Sequence, residues 1–159
     1  MATTFTYTAF TTVTDVFTTN PSDLEGIASA GLSIASDTIG NGTNRHLLMD
    51  VQMLYNGEVT NPTITDIGPN IVLHIARSID GTNFEAPVSA PPGGAMAFPR
   101  AISTNATDAN TLVFPEIPIP PGSFKIWVEN RTGAGFPTAA GSVSDASLLE
   151  FVTYSHEGV

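Results

Sequence analysis

Apolar and polar residues alternate along several short stretches of this chain. In residues 47–55 every second side chain is apolar, while Asp50 and Gln52 lie between them. The apolar members are Leu47, Met49, Val51, Met53 and Tyr55. A period of two is typical of a β-strand that buries one face. The same pattern predicts strands over 71–79, 124–128 and 149–154.

The first part of the chain is rich in threonine and aromatic residues. Residues 3–19 combine β-branched and aromatic side chains, which favour extended backbone over helix. The sequence Asn20-Pro21 then breaks the run. Beyond it, polar and apolar residues alternate again over 32–36, so the pattern predicts mostly strand over 27–39.

Turn-forming residues separate the later strands. Asp80-Gly81-Thr82-Asn83 is the strongest hairpin-type turn signal in the sequence, and strands are predicted near 95–102 and over 111–114. Residues 115–122 are rich in proline, which has no N–H to donate to a neighbouring strand. This stretch is therefore predicted to be an ordered loop rather than a central strand.

These elements add up to an all-β protein. About eight short strands without a convincing long helix predict a single antiparallel β-sandwich, most plausibly a jelly roll. The chain length of 159 residues suits one domain. We assign this domain to residues 20–159, preceded at 1–19 by an extended N-terminal arm or a first strand.

The number and sign of the charged residues argue against some classes of function. Charged residues make up 13% of the chain, about half the usual share of ~25%, and the formal net charge is −10. The few basic residues are scattered, which argues against binding to nucleic acid or to an anionic membrane surface. The first residues do not resemble a signal peptide, and no apolar run reaches the length of a spanning helix. We therefore expect a soluble protein that is synthesised in a cytoplasm.

Few residues are candidates for chemistry. There is no cysteine, and His46, His74 and His156 do not have the spacing of a zinc site or of a nucleophile elbow. His74 shares a predicted strand face with Val72 and Ala76, which favours a hydrogen-bonded structural histidine. Calcium bound by loop carboxylates is a weaker alternative, for which the candidates are Asp66, Asp80, Asp108 and Asp145. A carboxylate pair for glycoside hydrolysis is weaker still. We expect no catalytic residue, metal or cofactor.

Two features predict contacts with another molecule. The apolar side chains of the arm could pair with a neighbouring subunit, or they could form an ordinary first strand. Trp127 is predicted on the outer face of its strand, where it either contacts a subunit, lies under the loop 115–121, or stacks on a sugar. The interface candidates are Phe5, Tyr7, Phe10, Val13, Phe17 and Trp127.

Three segments resemble small virion structural proteins of tailed bacteriophages. They are SAGLSIASDTIGN at 29–41, VLHIARSIDGTNF at 72–84 and FPEIPIPPGSFKIWVEN at 114–130, followed by Gly133-Ala134-Gly135. That family has a strand ending in Ser-x-x-Ile-x-Asn, a Ser-x-Asp-Gly-Thr-Asn turn, and a Pro-Pro-Gly-x-Phe-Lys entry into a strand ending in Asn. The resemblance covers about residues 27–137 and does not include the arm.

The resemblance implies a jelly-roll-like module on the virion. The expected function is a non-enzymatic protein that decorates or cements the capsid of a tailed phage, with the major capsid protein and further copies of itself as partners. A trimer is the favoured homo-oligomer, and the capsid surface is the expected location. The alternative is a carbohydrate- or receptor-binding module of a phage tail or fibre.

Overall fold

A computed structural model gives the fold. It describes residues 5–7, 13–17, 24–33, 35–42, 45–55, 69–78, 80–84, 94–102, 110–136 and 148–158. The strands are β1 (Phe5–Tyr7), β2 (Thr14–Asp15), β3 (Ile39–Gly40), β4 (Leu48–Tyr55), β5 (Asn70–Arg77), β6 (Met96–Ala101), β7 (Asn110–Pro118), β8 (Ser123–Arg131), β9 (Leu148–Tyr154) and β10 (His156–Gly158). Within these residues no helix is long and apolar enough to cross a membrane.

Eight strands form two antiparallel sheets of four. The strand orders are β2-β9-β4-β7, which we call the first sheet, and β3-β8-β5-β6, which we call the second sheet. The strands pair in a nested series, β2 with β9, β3 with β8, β4 with β7 and β5 with β6, and β1 with β10 forms a separate ribbon outside it. The prediction of an all-β antiparallel sandwich is confirmed.

The core lies between the two sheets. The alternating positions of β4 point Met49, Val51, Met53 and Tyr55 inward, and all four are fully buried. Ile71, Leu73 and Ile75 of β5 and Phe124, Ile126 and Val128 of β8 meet them in one hydrophobic cluster. Leu47, which the pattern placed on the same face, precedes β4 and is 60% exposed.

The prediction of mostly strand over 27–39 is wrong. In the described part of this range, only Ile39 begins a strand, and Leu32 forms an isolated bridge with Glu129. The segment still runs beside β8, with backbone N–H groups of Ala30, Ser33 and Ser36 donating to carbonyls of β8. The hydroxyls of Ser33 and Ser36 in turn accept from Val128 N and Ile126 N at 2.8 and 2.9 Å. Side-chain oxygens thus replace backbone carbonyls, so a regular ladder does not form.

The proline-rich stretch is also more regular than predicted. Strand β7 continues through Pro115 to Pro118, so the expectation of a loop is wrong for these residues. The strand lies at the edge of its sheet, where prolines are tolerated. A bulge opposite Met49 to Val51 places Glu116 at a φ of 54°, and its N–H donates to Asp50 Oδ1 at 2.8 Å.

The predicted turn after β5 is confirmed as a turn. The Asp80 carboxylate accepts from the N–H groups of Thr82 and Asn83 and from the Ser78 hydroxyl, and Gly81 has a φ of 81°. These bonds hold the pKa of Asp80 well below its usual range. β5 and β6 are nevertheless joined by residues 78–95, so the turn does not close a tight two-residue hairpin.

Candidate functional site

His74, Glu129 and Arg131 form an ion-pair cluster on the outer face of the second sheet. His74 Nε2 lies 2.8 Å from Glu129 Oε2, and Arg131 Nε donates to Glu129 Oε1, also at 2.8 Å. His74 is 5% exposed. The prediction of a buried, hydrogen-bonded histidine is confirmed. Its partner could not be predicted from the sequence, because Glu129 lies on another strand.

The electrostatics of this cluster favour an ionised carboxylate. Burial raises the pKa of Glu129, but the hydrogen bonds and charges of Arg131 and His74 outweigh it and hold the pKa below its ordinary value. A carboxylate that is held charged and fully occupied by two partners is suited to joining strands. It is a poor proton acceptor for a reaction.

Trp127 occupies the predicted face but is not exposed. It lies opposite His74 on β5 and retains only 2% of its accessible surface. The assignment of Trp127 to an interface is therefore wrong, since the single chain already covers the ring; of the three alternatives, only a ring covered within the chain agrees with this burial. A ring buried in this way is unavailable for stacking on a sugar.

The N-terminal interface candidates divide into four groups. Phe5 and Tyr7 lie in β1, which pairs with β10 of the same chain, and Phe10 lies outside the described residues. Phe17 is 5% exposed and belongs to the core together with Val16. Val13 is 57% exposed, so its side chain is available for a contact.

Carboxylates are concentrated on the outer face of the first sheet. Asp15 of β2 lies directly opposite Glu150 of β9, Glu150 lies opposite Gln52 of β4, and Gln52 lies opposite Val113 of β7. Directly opposed residues have Cβ atoms about 4.5–5.5 Å apart, and like charges in that relation repel. Asp50 lies on the same face and accepts hydrogen bonds from the Tyr154 hydroxyl and from Glu116 N, both at 2.8 Å.

An open groove crosses this face. Its lining includes Val13, Gln52, Val113, Glu150 and Val152, and its volume is about 250 Å³. Val113 is 40% exposed, so apolar side chains flank the row of acids. We call this feature the acidic groove.

Charge is divided unequally between the two sheets. The strands of the first sheet carry Asp15, Asp50, Glu116 and Glu150 and have no Lys or Arg. Four of the five basic residues, Arg77, Arg100, Lys125 and Arg131, lie on strands of the second sheet, where Glu129 is the one acid. All five basic residues are in the described part of the chain, and none of them forms an ion pair with the acids of the first sheet. These acids are therefore not neutralised by Lys or Arg within the chain.

A different surface lies at one end of the sandwich. Two grooves, of about 320 and 570 Å³, lie around Ile119 and Pro121. Arg77 lines one of them and Arg45 the other, and exposed Leu47 and Met96 border them. This end is apolar and basic, in contrast with the acidic groove.

The described residues do not assemble a metal centre. Among them, no group of three or more His, Asp or Glu could hold an ion. Asp80 is occupied by its own turn. Asp66, Asp108 and Asp145 lie outside the described residues.

Comparison with known proteins assigns the chain to no family. No protein-family model matches the sequence, and no curated protein matches it either. One solved structure that is similar to the chain is an exo-β-1,3-galactanase from Phanerochaete chrysosporium with galactose. The identity is 10%, the TM-score is 0.38, and the match covers 96% of this chain and 29% of the galactanase. The chain thus spans less than a third of that protein's length.

Proposed function

We propose that this protein is a non-enzymatic structural protein of a tailed-phage virion, with jelly-roll connectivity, that decorates or cements the capsid. The observation that carries the proposal is the nested strand pairing, which describes one long hairpin rolled into two sheets. Two Greek keys folded into a double sheet are the architecture of jelly rolls, which are common in viral capsid proteins.

The residues that resemble the phage family support a structural role. Ser33 and Ser36 bond to β8, Asp80 closes a turn, and Asn130 ties together the turn after β8. Each of these motif residues therefore holds backbone in place.

The proposed mechanism is thermodynamic. A protein that binds the assembled shell, and not its dissociated subunits, stabilises the shell by mass action, by about 4 kcal/mol when its free concentration is 1,000 times the dissociation constant. The partner in this proposal is the major capsid protein, and the location is the outer surface of the virion.

We also propose a homo-oligomer, with a trimer favoured. Exposed Leu47 and Met96 on the basic end supply apolar surface that oligomerisation could bury. Light scattering at micromolar concentration should give a multiple of the chain mass of 16.6 kDa. A mass of one chain would contradict this part of the proposal.

The copy number in purified particles tests the proposed function. Many copies per particle, lost together with shell stability when the protein is removed, would support a capsid role. A handful of copies located at the tail would instead support the carbohydrate- or receptor-binding alternative. Absence from purified particles would refute both.

A further inference from the structure

We infer that the acidic groove is a docking site for a protein surface that presents Arg or Lys beside an apolar side chain. This inference rests on the proposed function in one respect, because the proposed function makes that partner surface a part of the capsid shell. The groove itself is formed by residues of the first sheet together with Val13, which precedes β2.

The carboxylate of Glu150 lines the groove without a Lys or Arg partner in the chain. Asp15 and Glu150 are directly opposed, and no Lys or Arg of the chain is paired with either of them. Like charges that face each other across two neighbouring strands repel, and Glu150 of this pair lines the groove. A cation placed between the two carboxylates would remove this repulsion and add two attractive contacts.

Apolar side chains lie beside these charges. Val13, just before β2, and Val113 of β7 are 57% and 40% exposed at the groove. Val152 of β9 lines the groove as well. Interfaces commonly combine an apolar centre with arginine, whose planar guanidinium can bond two carboxylate oxygens. The groove therefore matches a surface in which basic side chains flank an apolar one.

The second sheet differs from this face in its charge. The second sheet carries four of the five basic residues, so it would repel the same partner. Charge segregation of this kind orients an approaching protein before contact and speeds correct docking. It predicts that one face of the sandwich, and not the other, is turned toward the partner.

A binding measurement on the free protein tests the groove without any phage particle. The probe is a capped synthetic peptide in which arginine alternates with valine, and a peptide of glutamate and valine is the negative control. We expect the arginine peptide to shift the NMR signals of Val13, Gln52, Val113 and Val152, and to bind more weakly as salt is added. Shifts confined to another surface would overturn the inference.

Matched variants distinguish binding at the groove from a general effect of the negative charge of the chain. Glu150→Gln should weaken peptide binding about threefold, as for loss of one exposed ion pair. Glu25→Gln, which makes the same charge change outside the groove, should bind as the wild type does. Because Glu150→Gln relieves repulsion, it should not lower the melting temperature, so weaker binding cannot be attributed to unfolding. Equal binding by both variants would overturn the inference.

The same variants, added to shells that lack the protein, distinguish the two proposals. Slower attachment of Glu150→Gln than of Glu25→Gln would support both. Equal attachment of the two variants would overturn the docking face while leaving the capsid role standing. Peptide binding at the groove without attachment to shells at any ionic strength would refute the capsid role and leave the docking face standing.

Discussion

Asn130 joins three pieces of backbone at the end of β8. Its Nδ2 donates to the carbonyls of Ile27 and Ala134, and its Oδ1 accepts from the N–H and hydroxyl of Thr132. The residue is fully buried. A shorter side chain would remove these four hydrogen bonds and leave the buried N–H of Thr132 without its acceptor, whereas the Ile27 carbonyl would keep the N–H of Phe136 and the Ala134 carbonyl would keep the hydroxyl of Thr132.

We predict that Asn130→Ala is strongly destabilising. The unpaired N–H of Thr132 costs about 1–3 kcal/mol and each of the other three lost hydrogen bonds about 0.5–1.5 kcal/mol, so a loss of about 3 kcal/mol or more in the free energy of unfolding is expected. Urea denaturation measures it. Asn83→Ala, in an exposed turn, is the control and should cost far less. Equal losses in the two variants would show that burial of the Asn130 network is not decisive.

Glu129 gives the fold a dependence on pH. Its pKa is lowered in the folded state, so the ionised carboxylate contributes stability above the unfolded-state pKa of about 4.3. That contribution is lost as the pH falls through the lowered folded-state pKa. Protonation therefore weakens the link between β5 and β8.

The expected result is a pH-dependent effect of Glu129→Gln. At neutral pH the variant should lose about 1–3 kcal/mol, the usual value of hydrogen bonds to a charged group, and the loss should shrink toward pH 3. Denaturant titrations across this range measure it, with Glu25→Gln as the control for removing a carboxylate. A loss of the same size at pH 7 and about pH 3 would contradict the assignment.

At the scale of elements, the segment 30–36 stabilises the sandwich without being a strand. The backbone N–H groups of Ala30, Ser33 and Ser36 donate to every second carbonyl of β8. The segment therefore advances by three residues for every two residues of the strand. The two serine hydroxyls supply the acceptors that this mismatch would otherwise remove. Gly31 is also required, since a Cβ there would lie 2.7 Å from the Ala28 carbonyl oxygen.

We predict that Ser33→Ala and Ser36→Ala each lower the free energy of unfolding by about 1–3 kcal/mol, because each leaves a buried N–H of β8 unpaired. Thermal and urea unfolding measure the effect. Ser29→Ala removes an exposed hydroxyl and should be close to neutral. If all three variants behave alike, the hydroxyls do not serve as strand acceptors.

The sequence was most informative where one side of a strand is buried. Alternation predicted the inward faces of β4, β5 and β8 because burial on one face imposes a period of two. It failed over 27–39, where the alternating serines are acceptors rather than surface residues. The prediction of a loop from residue 115 rested on proline instead, and it was wrong through Pro118 because β7 is an edge strand, where proline is tolerated, and edge position is a property of the whole sheet.

The site was harder to predict for the same reason. Trp127 was placed on the correct face, but its burial depends on what covers that face. The row from Asp15 to Val113 draws on four strands that are distant in the sequence. Each acid could be assigned to a strand face, but their proximity depends on pairing register, which alternation does not specify.

At the scale of the whole molecule, the N-terminal residues are divided between two structures. β1 belongs to the ribbon with β10, whereas Val16 and Phe17 fill the core between the sheets. The boundary between an arm and a domain near residue 19 therefore does not match the packing. A division between the ribbon and β2 matches it better.

We predict that deletion of residues 1–12 preserves cooperative unfolding, whereas deletion of 1–19 does not. The longer deletion removes Phe17, whose loss alone costs about 4 kcal/mol, from a total stability typically of about 5–15 kcal/mol. Near-ultraviolet circular dichroism and thermal melting distinguish the two chains. Cooperative melting of the longer deletion would show that β2 and its neighbours are dispensable.

The edge strands of the two sheets affect whether closely packed copies of the protein aggregate. β2 and β3 are two residues long, β6 contains Pro99, and β7 contains Pro115, Pro118 and a bulge. Short, interrupted or proline-bearing edges are poor templates for a strand from another molecule. Many copies can therefore be held side by side at high local concentration without joining edge to edge into amyloid-like aggregates.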